Sequence, residues 1–362
     1  MAALIYLGLF TYCFFIIMCR FTRKRIYTFG RVIISEKIVD SLNIIIAILP
    51  IILFLGLRVN VGTDYKNYLI VFHDYTEWGY ANDELGLLGL FEIAQMCNMG
   101  YQGFLFLAAM LSAGASVFAI RRLLTAYGDE KYFPIAVLIY LLIYFGPLCN
   151  IMAQMVALTF EILAFEQILN KKLFRFLLIC TVGLLFHTSF IVIVPLYFVY
   201  NYLNKKQTTI IAWICLALAS VISFFPGVLA GAMQNSFLQA YVGYIFGEHI
   251  NTFLFFLIYR IPLYFVELLM HPEETEDNRF FKFLIILEIA ACIVGIRINW
   301  GGRLVYYFSI AHVFYDIKLI NSCETNKEKL IRISVFVIYY IAAFIMMHFY
   351  SGFDGIASIQ FA

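Results

Sequence analysis

The chain has 362 residues, of which 63% are hydrophobic and only 13% are charged, with a formal net charge of +2. A soluble domain of this length does not need so much apolar sequence, so the composition excludes a soluble fold and indicates a polytopic membrane protein. The small positive charge does not point to nucleic acid, because the Lys and Arg residues form short clusters between apolar runs.

The predicted elements are apolar helices. We expect an all-α polytopic integral membrane protein of about 11–12 transmembrane or half-spanning helices, forming a single transmembrane domain over residues 1–362. The first run lacks a basic leader and a small-residue cleavage site, so we expect it to be a retained helix. The apolar segments are 2–19, 38–57, 101–120, 133–149, 151–169, 173–187, 188–203, 208–230, 251–270, 280–298, 304–320 and 331–350.

The basic clusters between these segments assign their sides, because Lys and Arg are enriched in cytoplasmic loops. The scheme closes with both termini outside. Each predicted inside loop is marked by one cluster: Arg20 to Lys37, Arg121 to Lys131, Lys171 to Arg175, Lys205 and Lys206, Arg279 and Lys282, and Lys318 to Arg332.

The chain between Lys172 and Lys205 is too short for two full crossings at about 1.5 Å per residue. We therefore predict two short helices that turn near Phe186-His187-Thr188-Ser189, below the outer surface and inside a protein-lined cavity. A single tilted helix is the alternative, and it would place one basic pair outside.

Two longer segments are predicted outside. The first spans 58–100, and its apolar part from Leu85 to Met99 indicates an amphipathic or half-inserted helix. The second spans 231–250 and is rich in Phe and Tyr.

The first outer segment opens with Arg58, followed by Gly62-Thr63-Asp64-Tyr65 and Tyr68. Charged groups among aromatic residues at a membrane boundary suit a polar, anionic, lipid-borne substrate. Asp64 is a candidate general base for a substrate hydroxyl, or it orients Arg58; the sequence leaves both open.

A second polar stretch runs from Arg297 to Phe308, with a Gly-Gly turn between Arg297 and Arg303. An arginine fork binds phosphate oxygens in a bidentate manner and stays charged, so this pair suits a diphosphate. Snorkelling to the interface and pairing with acidic residues are the alternatives.

Other ionisable residues fall within apolar segments. His187, at the predicted turn, is either a functional group or a satisfied core residue. Arg260, Glu161 and Glu288 lie at mid-span, where we expect at least one buried ion pair. The eight cysteines are scattered without ligand spacing, so no metal site is expected.

Four blocks together resemble the EpsG-like and Wzy-type bacterial polysaccharide polymerases. They are R-x-x-x-G-T-D-Y-x-x-Y from Arg58, the acidic Glu84 ahead of an apolar helix, F-H-x-S at 186–189, and R-x-x-x-Y-F at 303–308. The resemblance covers most of the chain. It implies a GT-C-like, metal-independent glycosyltransferase without a cofactor.

One block departs from the family pattern. Where the resemblance implies R-Q-x-x-A, the chain has Ala153-Gln154-Met155-Val156-Ala157, so an arginine is missing. Either the diphosphate is held by the remaining arginines, or the chain is less active.

The resemblance implies a polymerase of undecaprenyl-diphosphate-linked oligosaccharide repeats in the bacterial cytoplasmic (inner) membrane, with its active site facing the periplasm or exterior. A flippase or exporter of lipid-linked oligosaccharide, or a glycan ligase, is the alternative. The partners expected are the donor and acceptor lipids, membrane lipid and a chain-length regulator, without nucleic acid.

The candidate residues follow from these blocks. We expect Arg58, Asp64, His187 and Arg303 to meet in one outward-open cavity. The predicted catalytic residues are Asp64, His187 and Arg303, and the predicted substrate-binding residues are Arg58, Tyr65, Tyr68, Glu84, Gln154, Arg297 and Tyr307.

Overall fold

Helices form nearly all of the described structure. The computed structural model describes residues 2–21, 27–29, 32–34, 36–79, 84–225, 227, 252–270, 275–298, 302–350 and 355–357. The helices are α1 (Ala2–Phe21), α2 (Glu36–Leu57), α3 (Tyr65–Trp78), α4 (Leu85–Met96), α5 (Gly100–Ala109), α6 (Ala115–Tyr127), α7 (Phe133–Asn150), α8 (Met152–Leu169), α9 (Leu173–Phe186), α10 (Val194–Tyr202), α11 (Lys205–Phe224), α12 (Thr252–Leu269), α13 (Glu276–Gly295), α14 (Val305–Phe308), α15 (Ile310–Asn321) and α16 (Asn326–Ile345).

Short helical turns connect or extend these helices. They are the π-turns Met110–Gly114 and Met346–Tyr350 and the 3₁₀ turns Glu130–Tyr132 and Thr188–Ile193.

The predicted apolar segments each overlap a helix. Among the described residues, seven helices are long and apolar enough to cross a membrane: Ala2–Cys19, Ile38–Leu57, Gly100–Tyr127, Glu130–Asn150, Met152–Leu169, Lys205–Phe224 and Asn326–Tyr350. The all-α, polytopic membrane fold is therefore confirmed. The GT-C-like arrangement and the outside position of both termini stay predictions.

A small β-hairpin interrupts the first basic loop. Strands β1 (Tyr27–Phe29) and β2 (Val32–Ile34) pair antiparallel, with Tyr27 opposite Ile34. Aromatic and β-branched residues favour strands, which explains the pairing of Y-T-F with V-I-I. This hairpin was not predicted from the sequence.

The chain divides into two compact units. The first contains Met1–Val194 with Tyr340–Ala362, and the second contains Pro195–Tyr339. The single transmembrane domain expected from the sequence is not tested by this division and stays a prediction. The predicted second outer loop, 231–250, lies outside the described residues.

The first outer segment contains two helices. Helix α4 confirms the helix expected in the apolar part of this segment. Helix α3 was not predicted, although Tyr65, Leu69 and Phe72 follow a helical period and Gly79 ends the helix in the left-handed conformation. Helix α3 is less apolar than the membrane helices, so its composition does not indicate a membrane segment.

The first unit has two chemically distinct ends. At one end Arg121 pairs with Asp40 and Glu130, at 3.1 and 3.0 Å. The opposite end of α2 leads into Arg58, about 26 Å away at 1.5 Å per residue. The basic cluster predicted inside therefore lies a helix length from the polar segment predicted outside.

The chain breaks at His187, where the turn was predicted. Helix α9 ends at Phe186, and His187 is extended, with φ −158° and ψ 123°. The ring of Phe190 then packs against Gly183, where a Cβ would lie 2.8 Å from the ring. The close packing returns the chain toward α9 immediately after His187.

Candidate functional site

The loop from Arg58 to Asp64, here called the signature loop, is held by the break between α7 and α8. The Arg58 side chain is 1% exposed. Its Nη2 donates to the carbonyl of Cys149 at 3.2 Å and lies 3.0 Å from Met152 Sδ, and its Nη1 donates to the carbonyl of Leu55. This arginine thus fastens the end of α2 to the start of α8.

Asn150 organises the rest of the signature loop. Its Oδ1 accepts hydrogen bonds from Thr63 Oγ1 at 2.9 Å and from the Asp64 backbone N–H at 3.3 Å. Gly62 has a φ of +100°, and a Cβ there would lie 2.6 Å from the Cys149 carbonyl oxygen. Only glycine fits both this conformation and this close approach. The G-T-D order is therefore explained by the shape of the loop.

The loop fixes the start of α3. Asp64 precedes the helix, but its side chain does not cap it. The carbonyl of Tyr65 accepts a hydrogen bond from Tyr101 Oη at 3.0 Å, and Tyr68 Oη accepts one from the Ala153 N–H at 3.4 Å. Tyr65 is buried and Tyr68 is half-buried. The two tyrosines therefore attach α3 to α5 and α8.

The family's expected arginine position is closely packed here. Ala153 is 4% exposed and belongs to an aromatic cluster that includes Tyr65, Phe72, Phe91 and Phe104. Gln154 beside it is also buried. Through its backbone N–H, Ala153 also contacts Tyr68, so this position packs against α3.

Glu84 and His187 form a direct pair, although 103 positions separate them. His187 Nδ1 lies 2.9 Å from Glu84 Oε1, and the side chains are 23% and 19% exposed respectively. The pair forms because α4 packs on α9: a Cβ at Gly86 would lie 2.9 Å from the Leu185 carbonyl oxygen and 2.8 Å from the Phe186 ring. The sequence marked both residues, and the structure joins them.

The surroundings keep Glu84 ionised. Burial raises the pKa of its carboxyl, but the hydrogen bond and charge of His187 and the backbone N–H of Thr188 outweigh burial, so the pKa is lowered. An ionised Glu84 accepts the proton of His187 Nδ1. Among the described residues no hydrogen bond reaches Nε2 of His187.

This arrangement is chemically capable of proton transfer. A carboxylate on Nδ1 fixes the tautomer and the orientation of an imidazole, and Nε2 can then accept a proton from a hydroxyl. Glu84 would position the imidazole, and His187 would carry the proton.

The signature loop and the Glu84–His187 pair share one packing core. Tyr65 lies within the aromatic cluster, while Tyr68 and Phe186 pack against it. Phe186 also stacks on Phe160, with ring centroids 5.6 Å apart. Two of the sequence blocks are thus connected through one set of side chains in the first unit.

The remaining predicted site residues belong to the second unit. Arg297 and Arg303 are exposed at the turn between α13 and α14, whereas Tyr307 is 0% exposed. Gly295 and Gly302 approach each other closely, because a Cβ at Gly295 would lie 2.7 Å from the Gly302 Cα.

The second unit also contains a buried ionic network of Arg260, Glu267, Glu288, Ser309 and His312. Glu288 Oε1 accepts hydrogen bonds from Arg260 Nη1 and Ser309 Oγ, both at 2.6 Å. His312 bonds Glu267 through Nδ1 at 2.5 Å and Glu288 through Nε2. The expected buried ion pair is confirmed as Arg260–Glu288.

Glu161, the third mid-span residue, lies in the first unit and is fully buried. Neither of its carboxylate oxygens has a hydrogen-bond partner among the described residues.

Three residues of these arrangements were not predicted from the sequence: Asn150 at the signature loop, and Glu267 and His312 in the buried network. For Glu267 and His312 the signal was present, since both are ionisable residues within predicted apolar segments. Asn150 carried no such signal, because an amide at a helix end is common.

The model of the EpsG family matches residues 41–361, nearly the whole chain. No curated protein and no solved structure matches the sequence. The matched range includes the signature loop, the Glu84–His187 pair and the turn that carries Arg303. The chain therefore belongs to the EpsG family.

Proposed function

We propose that this protein is a membrane glycosyltransferase that polymerises undecaprenyl-diphosphate-linked oligosaccharide repeat units. Membership in the EpsG family supports polysaccharide biosynthesis. The observation that carries the catalytic proposal is the pair of Glu84 and His187, at 2.9 Å and partly exposed.

The proposed step is a glycosyl transfer. A hydroxyl oxygen of the acceptor repeat attacks the anomeric carbon of the donor chain. The bond from that carbon to the diphosphate oxygen breaks, and its electron pair leaves with undecaprenyl diphosphate. The hydroxyl proton passes to His187 Nε2, while Glu84 holds Nδ1. Asp64 is the alternative proton acceptor.

Stabilisation of the leaving diphosphate is assigned to arginine. Arg303 and Arg297 are exposed and stay charged, and donors aimed at developing negative charge supply a large part of many catalytic effects. Arg58 differs, because its buried contacts support a role in holding the signature loop. Tyr65, Tyr68, Gln154 and Tyr307 stay predicted substrate-binding residues.

The location proposed for the reaction is the outer face of the bacterial cytoplasmic membrane. A lipid-linked donor, a lipid-linked acceptor and a chain-length regulator are the proposed partners. The seven long apolar helices support a location in a membrane.

A product assay tests the proposal. Purified protein in lipid nanodiscs is incubated with a synthetic undecaprenyl-diphosphate oligosaccharide repeat, and the products are separated by length. We expect products of two or more repeats and release of undecaprenyl diphosphate. Transfer only to a different acceptor would indicate a ligase. In vesicles, movement of the lipid across the bilayer without elongation would indicate a flippase; either result overturns the proposal.

Cysteine labelling tests the proposed side. Cys97, which follows α4, and Cys19, near the end of α1, are both exposed. In variants that retain one cysteine each, a membrane-impermeant maleimide should label Cys97 in intact cells and Cys19 only after permeabilisation. The reverse result would place the signature loop on the cytoplasmic side and contradict the outer-face proposal.

A further inference from the structure

The second unit contains a cleft between α11 and α13, closed on one side by Leu268 of α12. Its volume is about 520 Å³, within the range of ligand-binding clefts. The two helices pack alongside each other with their first turns adjacent, because Tyr200, shortly before α11, donates a hydrogen bond to Asp277 in the first turn of α13 and packs on Phe280.

The cleft has a basic end and an apolar end. Lys205, Arg279 and Lys282 line the first, and the described lining includes no carboxylate. Along α11 the apolar lining begins at Ala212, about 10 Å from Lys205 at 1.5 Å per residue. The apolar lining includes Ala212, Trp213, Leu216, Phe283, Ile286 and Ile289.

The helix ends themselves are already satisfied. Asn204 and Gln207 form a capping box at the start of α11, and Thr275 accepts a hydrogen bond from the Asn278 N–H at the start of α13. Asp277, in the first turn of α13, accepts a hydrogen bond from Tyr200 Oη at 2.6 Å. The anion-binding character of the cleft therefore comes from its three basic side chains and its shape.

The apolar end includes a side chain that is exposed on a helix apolar enough to span a bilayer. Trp213 is 68% exposed and lies on α11, one of the seven helices apolar enough to span a bilayer. Trp is enriched near the membrane interface, where its ring contacts both headgroups and chains. A ligand of this cleft can thus keep part of its chain in the bilayer.

We propose that this cleft binds an anionic glycerophospholipid. The phosphodiester contacts Arg279, Lys282 and Lys205, and one acyl chain follows Trp213 toward Ile289. Arginine supplies a bidentate fork for phosphate, and lysine supplies a point charge. Basic clefts between transmembrane helices on the cytoplasmic side are suited to such headgroups.

This lipid site is separate from the proposed diphosphate site. Arg279 and Arg297 lie at opposite ends of α13, about 27 Å apart at 1.5 Å per residue. The basic end coincides with loops predicted to be cytoplasmic. The proposal therefore adds a structural or regulatory lipid and does not concern the repeat-unit substrate.

Quenching by brominated lipid tests the proposal directly. The chain has three Trp residues, so replacing Trp78 and Trp300 with Phe leaves Trp213 as the only fluorophore. The protein is reconstituted in phosphatidylcholine vesicles with increasing fractions of phosphatidylglycerol, with bromine on the acyl chains of one lipid at a time. Brominated phosphatidylglycerol should quench Trp213 at a several-fold lower mole fraction than brominated phosphatidylcholine.

The cleft cations should account for this preference. Arg279→Gln and Lys282→Gln should each reduce it about fivefold, the effect expected of one basic side chain near an anionic headgroup. The matched control is Lys327→Gln with Lys329→Gln, which removes two cations from another predicted inside loop. This control should retain the preference.

Three results would overturn the proposal. The first is equal quenching of Trp213 by the two brominated lipids. The second is an equal loss of the phosphatidylglycerol preference in the lysine control and in the cleft variants. The third is displacement of phosphatidylglycerol by inorganic pyrophosphate at constant ionic strength. The last would identify a site for a free anion. The position of the Trp213 emission maximum and the elution volume confirm that each variant is folded. If the control with both lysines replaced does not fold, Lys327→Gln and Lys329→Gln are measured separately.

Discussion

Each unit of this protein has a histidine bound by glutamate, and the two arrangements differ in burial and in the number of ring nitrogens used. His187 is 23% exposed and bonds Glu84 through Nδ1. His312 is 0% exposed and bonds a carboxylate through each nitrogen. The difference sets His187, the proposed proton carrier, apart from His312, which joins α15 to α12 and α13.

Charge balance explains the buried arrangement. Two ionised carboxylates accept hydrogen bonds and donate none, so a His312 between them carries protons on both nitrogens. With Arg260 this gives two positive and two negative groups, so the buried network is neutral. Neutrality and the hydrogen bonds within the network offset much of the cost of burying charges, although Glu267 Oε2 has no hydrogen-bond partner among the described residues. His187, with one carboxylate, keeps Nε2 for another partner.

The largest expected effect is loss of activity in His187→Gln. Removing a general base costs about 10²- to 10⁴-fold in rate, whereas stability should change little because the side chain is partly exposed. Elongation rate and thermal unfolding are measured on the same preparation. His73→Gln is the control, since His73 is an exposed histidine of α3. Equal elongation rates in His187→Gln and His73→Gln would contradict the proton-transfer role proposed for His187.

Glu288→Gln should have the opposite profile. The amide leaves Arg260 and His312 with an uncompensated buried charge, a change that costs about 3–5 kcal/mol of stability. The midpoint of unfolding in detergent should fall sharply, and the activity per folded molecule should remain. Glu324→Gln, at an exposed glutamate, serves as control. If activity fell with stability intact, the network would have a catalytic role.

Arg303→Ala asks whether the second unit contributes to chemistry apart from its network. Losing a donor to the leaving diphosphate should raise the barrier by about 2–4 kcal/mol. Initial elongation rates and the distribution of chain lengths are measured, with the exposed Arg175→Ala as control. An unchanged distribution of chain lengths would rule out the assigned role.

Glu84→Gln should give a smaller loss, about 10- to 100-fold, by analogy with carboxylates that orient metal-binding histidines. Because Glu84 acts through His187, kcat should fall with KM unchanged, and the pH profile of kcat should shift. Glu77→Gln is the matched control on α3, where the side chain is 63% exposed. A change confined to KM would instead indicate direct contact with substrate.

The smallest effect concerns acid stability. The pKa of Glu84 is lowered from its ordinary value of 4.5, so the pair stabilises the fold above that pH. The contribution is lost as the pH falls through the lower folded-state pKa. It should not exceed about 1 kcal/mol, as for other partly exposed pairs. The difference in unfolding midpoint between wild type and Glu84→Gln should therefore narrow in acid; a constant difference would contradict this.

Much of the fold could be predicted because membrane helices are encoded by local composition. The segments predicted over 133–149 and 151–169 appear as α7 and α8 with nearly the same bounds. Helix α3 was missed because its stability comes from packing on α4 and α5, and its apolar period is short.

The candidate site was less predictable because its geometry depends on distant contacts. The sequence marked Glu84 and His187 separately, but their pairing requires Gly86 to fit against Phe186. Asn150 holds Thr63 from 87 positions away, and no local pattern encodes such a bond. The buried position of Arg58 likewise follows from the break between α7 and α8.

The attachment of residues 355–357 has a consequence for synthesis. Tyr6 Oη donates to the Ile356 carbonyl at 2.7 Å across 350 positions, and the Gly62 N–H donates to the Gly355 carbonyl. At about 5–20 residues per second, a ribosome makes Ile356 roughly 20–70 s after Tyr6. The early helices must therefore insert into the membrane before Tyr6 and the signature loop can form their hydrogen bonds to residues 355–357. A fusion that displaces Gly355 should leave the signature loop without the hydrogen bond from the Gly62 N–H.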